Sequence, residues 1–77
     1  MRNANHKVNI SIIEDSKIHT EWLNEQFLDN GKFEVVSLDN LGRAGIESVK
    51  KCHPDMVLLD FQLPDITGLE VAKRIKA

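Results

Sequence analysis

Cysteine, tyrosine and long apolar stretches are scarce or absent in this chain of 77 residues, which has one cysteine, one tryptophan and no tyrosine. The single cysteine, Cys52, excludes an internal disulfide. Free cysteine is usually buried, so we expect a buried thiol with no redox role. No apolar stretch reaches the length of a membrane span or a signal-peptide core, which predicts a cytoplasmic protein with no membrane partner.

An excess of positive charge is also missing. Ten Lys and Arg residues stand against 12 Asp and Glu, the net charge is −2, and the lysines are scattered. Nucleic acid is therefore not an expected partner. The 42% hydrophobic and 29% charged residues are typical of a folded globular protein. The length predicts one domain over residues 1–77, with a polar N-terminal tail at 1–7.

Three short segments rich in β-branched or apolar residues predict β-strands, at residues 8–13, 33–38 and 56–59. The segments between them are long enough for helical crossovers. Strands that alternate with helices predict an α/β fold with a parallel sheet and right-handed connections. The continuous apolar character of the strands further predicts that both faces of the sheet are buried.

The first predicted helix begins near Ser16, a favourable N-cap residue, and ends at Asn30-Gly31, where glycine can adopt the left-handed conformation. Its spacing of apolar residues predicts one buried side. The residues expected there are Ile18, Trp22, Leu23 and Phe27.

Two further helices are predicted. The second, at about residues 43–52, is weakened by Gly42 and Gly45, because each glycine costs up to about 1 kcal/mol in a helix interior. The third begins with a capping-box pattern in which Thr67 and Glu70 can satisfy each other's exposed amides. The inward-facing candidates of the second helix are Ile46, Val49 and Cys52.

Acidic residues stand where two of the predicted strands end. Glu14 and Asp15 follow the first strand and Asp60 follows the third. Ligands of open α/β sheets bind beyond the carboxyl ends of the strands, and an oxygen-only cluster suits a hard cation such as Mg²⁺. Asp60 could then act as a nucleophile toward phosphorus. The alternative is that Asp15 and Asp60 are ordinary loop carboxylates, with Asp15 helping to cap a helix.

At these positions the chain resembles the receiver domain of bacterial two-component response regulators, a flavodoxin-like fold. The resemblance covers nearly the whole chain. It rests on Glu14-Asp15-Ser16 after the first strand, on the His53-Pro54-Asp55 lead-in, on the strand and acid at residues 56–60, and on the segment Leu-Pro-Asp-Ile-Thr-Gly-Leu-Glu at residues 63–70.

The resemblance implies roles for individual residues. Asp60 would be the phosphoacceptor, supplied by a sensor histidine kinase or a phosphotransfer protein. Mg²⁺ would be held by Glu14, Asp15, Asp60 and the backbone carbonyl of Gln62. The loop beyond would be shaped by Pro64 and Gly68. The strand order implied is 2-1-3.

The resemblance also implies that the chain is a receiver truncated after its third helix, since the family's later Lys, Ser or Thr and switching aromatic have no counterpart here. Without that lysine and that hydroxyl, phosphoryl transfer should be slowed or lost. The strand at residues 56–59 would become a bare edge, which predicts a homodimer that pairs two such edges antiparallel or, as the alternative, exchanges elements between its two copies. The alternative function is a non-catalytic half-receiver that serves as a dimerisation or interaction module.

Overall fold

Helices and strands alternate through the part of the chain that the computed structural model describes, residues 7–28 and 31–77. In order they are β1 (Val8–Ile13), α1 (Lys17–Leu28), β2 (Phe33–Asp39), α2 (Gly42–Cys52), β3 (Met56–Leu59) and α3 (Gly68–Lys76). The strands form one parallel sheet in the order β2-β1-β3. The predicted α/β class and the strand order are confirmed. None of these helices is long and apolar enough to cross a bilayer.

The central strand β1 is covered on both faces. Side chains alternate along a strand, so Ser11 and Ile13 point to one face and Ile10 and Ile12 to the other. All four are fully buried. The buried hydroxyl is satisfied, because Ser37 Oγ on β2 donates a hydrogen bond of 2.6 Å to Ser11 Oγ. This pair follows the shift in the β1–β2 register between Ile10 and Ser11.

The main core lies between β1 and the two helices α2 and α3. Ile13, Ile46, Val49 and Val71 form a buried cluster there. The predicted inward positions Ile46 and Val49 are thus confirmed. Partly buried side chains from β3, the following loop and α3 pack around the cluster: Val57, Leu59, Leu63, Ile66 and Ile75.

The glycines that lower the helix propensity of α2 allow it to approach its neighbours closely. A Cβ added at Gly45 would lie 2.5 Å from Ile13 Cδ1, and one added at Gly42 would lie 2.6 Å from Ile66 Cγ1. Both distances are well inside van der Waals contact. The loss of propensity therefore accompanies tight packing of α2 on β1 and on the loop after β3.

The face of α1 that packs against the protein differs from the predicted one. Leu23 and Phe27 are half-buried, and the Phe27 ring meets Phe33 edge to face at 5.2 Å between centroids. Ile18 and Trp22 are 76% and 58% exposed. A helix turns by roughly 100° per residue, so Ile18 and Phe27 point in opposite directions and cannot share a buried side. The prediction was wrong for Ile18 and Trp22.

Cys52 and the third strand are also more exposed than predicted. Cys52 is the last residue of α2 and is exposed, with Sγ 4.0 Å from the Val36 carbonyl oxygen. The helix ends there because His53 adopts a left-handed conformation with φ of 48°. Met56 in β3 is 43% exposed and the other three side chains of that strand are only half-buried. Burial on both faces therefore holds for β1 and not for β3.

The predicted helix starts are confirmed. Ser16 Oγ accepts from the His19 amide at 3.3 Å, and Thr67 Oγ1 accepts from the Glu70 amide at 3.1 Å. The reciprocal half of the predicted capping box is not formed, because the Glu70 carboxylate instead accepts from Arg74 Nε at 3.0 Å, one turn further along α3. The predicted end of the first helix includes Asn30, which lies outside the described residues. Gly31 has a φ of 76°, in the left-handed region.

Candidate functional site

The sheet brings the acidic strand ends together. β1 and β3 are hydrogen-bonded neighbours, and the Asp60 amide donates to the Ile13 carbonyl at 2.8 Å. Glu14 and Asp15 come next in the chain after Ile13, so all three predicted acidic residues lie at the same carboxyl edge. In an open α/β sheet this edge is where ligands bind.

The Asp60 carboxylate is held by the loop that follows it. The Gln62 amide donates to Asp60 Oδ1 at 3.2 Å. This hydrogen bond is the main reason why the pKa of Asp60 lies below its usual value, against an opposing effect of partial burial. Asp60 is therefore ionised at neutral pH and can act as a nucleophile or as an oxygen ligand.

Glu14 faces the beginning of α1. Its Oε2 accepts from the Ser16 amide at 3.0 Å, and its Oε1 lies 3.6 Å from His19 Nδ1. The Glu14 side chain is only 14% exposed, whereas Asp15 is exposed. Across residues 7–28 and 31–77, no three His, Cys, Asp or Glu side chains are gathered into a group that could hold a metal ion. The proposed set of metal ligands stays a prediction.

The loop between Asp60 and α3 is closed at its base. The Gly68 amide donates to the Phe61 carbonyl at 2.8 Å, and Gln62 forms an antiparallel bridge with Thr67. A Cβ at Gly68 would overlap the Asp60 carbonyl oxygen and lie 2.8 Å from Phe61 Cα. Only glycine fits this position without a backbone shift. Pro64 lies in the same loop and is exposed.

A fourth acidic residue at this edge was missed by the sequence reasoning. Asp39 ends β2, and its carbonyl accepts from the Glu14 amide at 2.9 Å. Its Oδ2 is buried and has no hydrogen-bond partner among the described residues. A cavity of about 390 Å³ beside it is lined by Glu14, Asp15, Lys17, Thr20, Leu38, Asp39 and Asn40. The signal was present, because Asp39 directly follows the predicted strand at residues 33–38, as Glu14 and Asp60 follow theirs.

Comparison with known proteins gives consistent relatives. The response regulator receiver domain family matches residues 10–77. A protein-glutamate methylesterase/protein-glutamine glutaminase of Trichodesmium erythraeum is 33% identical over 70 residues, which cover 91% of this chain and 20% of that protein. The polar-differentiation response regulator DivK of Brucella ovis is 31% identical over 70 residues, 87% of this chain and 53% of that protein.

Solved structures agree with these relatives. The signal receiver domain of the response regulator NarL from Mycobacterium tuberculosis superposes with a TM-score of 0.89 at 28% identity, over 92% of this chain and 57% of that one. The chain thus spans about half of the solved receiver domain and a fifth to a half of the curated relatives. Because the family match covers most of the sequence and includes every acidic residue of the sheet edge, this chain belongs to the response regulator receiver domain family.

Proposed function

We propose that this chain accepts a phosphoryl group on Asp60 from a sensor histidine kinase or a phosphotransfer protein. The observation that carries the proposal is the place of the Asp60 carboxylate at the carboxyl end of β3, where the Gln62 amide donates to Oδ1. In the transfer, an oxygen of Asp60 forms a bond to phosphorus while the bond from phosphorus to the donor breaks, which leaves an aspartyl phosphate.

Mg²⁺ is the cofactor that we propose for this transfer. The available donors are the carboxylates of Glu14, Asp15 and Asp60 and the carbonyl of Gln62, all of them oxygen. Mg²⁺ prefers oxygen and retains several waters, so one or two protein carboxylates suffice to bind it. The ion would screen the negative charge of the phosphoryl group near these acids. The chain's own part is to hold Asp60 ionised and oriented through Gln62.

We propose only the receiver step for this chain. Residues 1–77 would act as one unit in the cytoplasm, where the kinase or phosphotransfer protein supplies the phosphoryl group. The curated relatives are longer than this chain, and the methylesterase activity in the name of one of them belongs to that protein.

Incubation with Mg²⁺ and acetyl phosphate is expected to add the mass of one phosphoryl group to the wild-type chain and none to Asp60→Asn. The asparagine keeps an oxygen that can accept from Gln62 but is not a nucleophile, so the fold should survive. Intact-mass spectrometry after a long incubation is the measurement.

The matched control is Asp55→Asn at the opposite end of the sheet, where Asp55 Oδ2 accepts from the Asn9 amide at 2.8 Å. This variant should be modified like the wild type, and chelation of Mg²⁺ should abolish modification in both. An equal adduct on Asp60→Asn would place the acceptor elsewhere. Absence of an adduct on folded wild-type protein would refute acceptance by this chain.

We further propose that a second copy of the chain covers the outer edge of β3. Within the described residues β3 pairs only with β1, and Met56 is 43% exposed on it. An open edge presents unpaired backbone groups to another strand. Two β3 strands paired antiparallel about a two-fold axis would give one six-stranded sheet.

Sedimentation equilibrium is expected to show a concentration-dependent dimer of the wild type and a monomer of Met56→Lys. The lysine places a charge on the edge, a device that natural sheets use against edge pairing. The exposed Leu69→Lys on α3 serves as the control and should remain dimeric. A compact wild-type monomer that unfolds cooperatively at every concentration would contradict the proposal.

A further inference from the structure

Asp65 lies at the tip of the loop that joins Asp60 to α3, but its side chain contacts α2. Its Oδ1 accepts from the Gly42 amide at 2.7 Å and its Oδ2 accepts from the Arg43 amide at 2.9 Å. Gly42 and Arg43 are the first two residues of α2. Both oxygens of one carboxylate thus bind the beginning of a helix that lies more than 20 positions earlier in the chain.

The beginning of α2 lacks a cap of its own. Its N-cap residue is Leu41, whose side chain cannot accept a hydrogen bond. The first amides of a helix need acceptors, and a negative charge there interacts favourably with the helix dipole. Asp65 supplies both from another part of the chain, and the Arg43 amide is the main reason why the pKa of Asp65 lies below its usual value.

The same loop directly follows Asp60, the candidate phosphoacceptor. Its base is held by the Gly68 amide on the Phe61 carbonyl, and the Gln62 amide holds Asp60 Oδ1. The tip is held by Asp65 on α2 and by Ile66 packed against the core. Apolar contact is not directional, whereas two short charge-assisted hydrogen bonds orient the loop.

We propose that Asp65 is a positioning residue of the Asp60 site: its carboxylate fastens the tip of the loop at residues 61–67 to α2 and thereby keeps the Gln62 amide on Asp60. This proposal rests on the proposed function only in taking Asp60 to be the phosphoacceptor. The restraint itself is a property of the loop and can be measured without any phosphoryl donor.

Amide hydrogen exchange, measured by NMR on the intact chain, tests the restraint. In Asp65→Ala the Gln62 and Gly42 amides are expected to exchange roughly tenfold or more faster, the factor implied by loss of a hydrogen bond to a charged group. The control, Asp55→Ala, removes a carboxylate that accepts one backbone amide far from the loop. It should leave the Gln62 amide unchanged. Equal acceleration in both variants, or none in Asp65→Ala, would overturn the proposal.

A second variant separates positioning from helix capping alone. Leu41 has the extended conformation of an N-cap residue, with φ of −123° and ψ of 142°, so Leu41→Ser can supply a local cap for α2. In Asp65→Ala with Leu41→Ser, the α2 amides should regain protection while the Gln62 amide stays fast. If the new cap restores Gln62 as well, Asp65 acts only by stabilising α2 and the proposal is wrong.

Should Asp65→Ala fold poorly, Asp65→Asn carries the same test, because it keeps one acceptor oxygen and loses the charge. The Gln62 amide is then expected to exchange at a rate between those of the wild type and Asp65→Ala; a wild-type rate would count against the proposal. A Mg²⁺ titration of the wild type, followed at the Gln62 resonance, is run in parallel. If the Gln62 resonance does not respond to Mg²⁺, that result counts against the proposed function. The role of Asp65 is then decided by the exchange rates alone.

Discussion

Ile13→Ala is expected to lower the free energy of unfolding by about 2–5 kcal/mol, the range for removal of a large aliphatic side chain from a core. Ile13 is fully buried on the central strand and belongs to the cluster with Ile46, Val49 and Val71. A domain of this size is at the lower end of an ordinary stability of about 5–15 kcal/mol. The variant should therefore be largely unfolded in mild denaturant, which urea titration followed by circular dichroism measures.

The matched control is Ile18→Ala, the same chemical change at a side chain that is 76% exposed. Its effect should stay within about 0.5 kcal/mol. The sequence alone predicted both isoleucines to be buried, so the pair also tests the observed orientation of α1. Equal losses for the two variants would contradict the packing described here.

Gly45 packs directly against Ile13, so a double variant can test their contact. The atoms that a Cβ at Gly45 would meet are Cδ1, Cγ1 and Cγ2 of Ile13, at 2.5, 2.6 and 2.9 Å. Ile13→Ala removes all three. Gly45→Ala should therefore destabilise the wild type but stabilise Ile13→Ala, by filling part of the cavity and by raising helix propensity by about 1 kcal/mol. Additive effects would show that the two residues are not in contact.

Gly68→Ala is expected to destabilise the fold by about 1–3 kcal/mol or more, because overpacking at a rigid site forces a backbone shift. The atoms in the way are backbone atoms, the Asp60 carbonyl oxygen and Phe61 Cα. They cannot rotate aside as a side chain would. The shift should also move Asp60, so a changed Gln62 amide resonance and a weaker Mg²⁺ response are expected beside the lower urea midpoint.

Gly31→Ala is the control variant, because it should lower stability through backbone strain and not through steric overlap. Gly31 has open space around its Cα but a φ of 76°, so alanine there costs about 1–2 kcal/mol of backbone strain. It should leave the Gln62 resonance in place. A Gly68→Ala protein with the stability and Gln62 resonance of the wild type would show that the close approach of α3 to Asp60 is not required.

Local signals in the chain were sufficient for the class of fold and for the placement of Glu14, Asp15 and Asp60 at the carboxyl edge of the sheet. Apolar segments followed by acids gave the strand ends at Glu14 and Asp60, because the residue after a strand must lie at its carboxyl edge. Ser16 and Thr67 gave the helix starts, because a cap bonds to amides two or three positions away. The order of the strands came from the resemblance to receiver domains.

Sequence reasoning failed where the outcome depends on contacts between distant residues. The burial of Trp22 and of Cys52 is decided by which elements lie against α1 and at the end of α2. The cap that Asp65 supplies joins a loop to a helix over 20 positions away, and no local pattern marks such a partner. Asp39 is the exception, since its position after a strand could have been noticed.

By itself, the sequence determined the alternation of strands and helices and the presence of acids at the sheet edge, because both follow from neighbours along the chain. Only the tertiary structure decided how closely Gly68 approaches Asp60, which face of α1 is covered and what holds the loop after β3. These features arise from packing and from hydrogen bonds between separate elements, whose strength depends on distances that the order of residues does not contain.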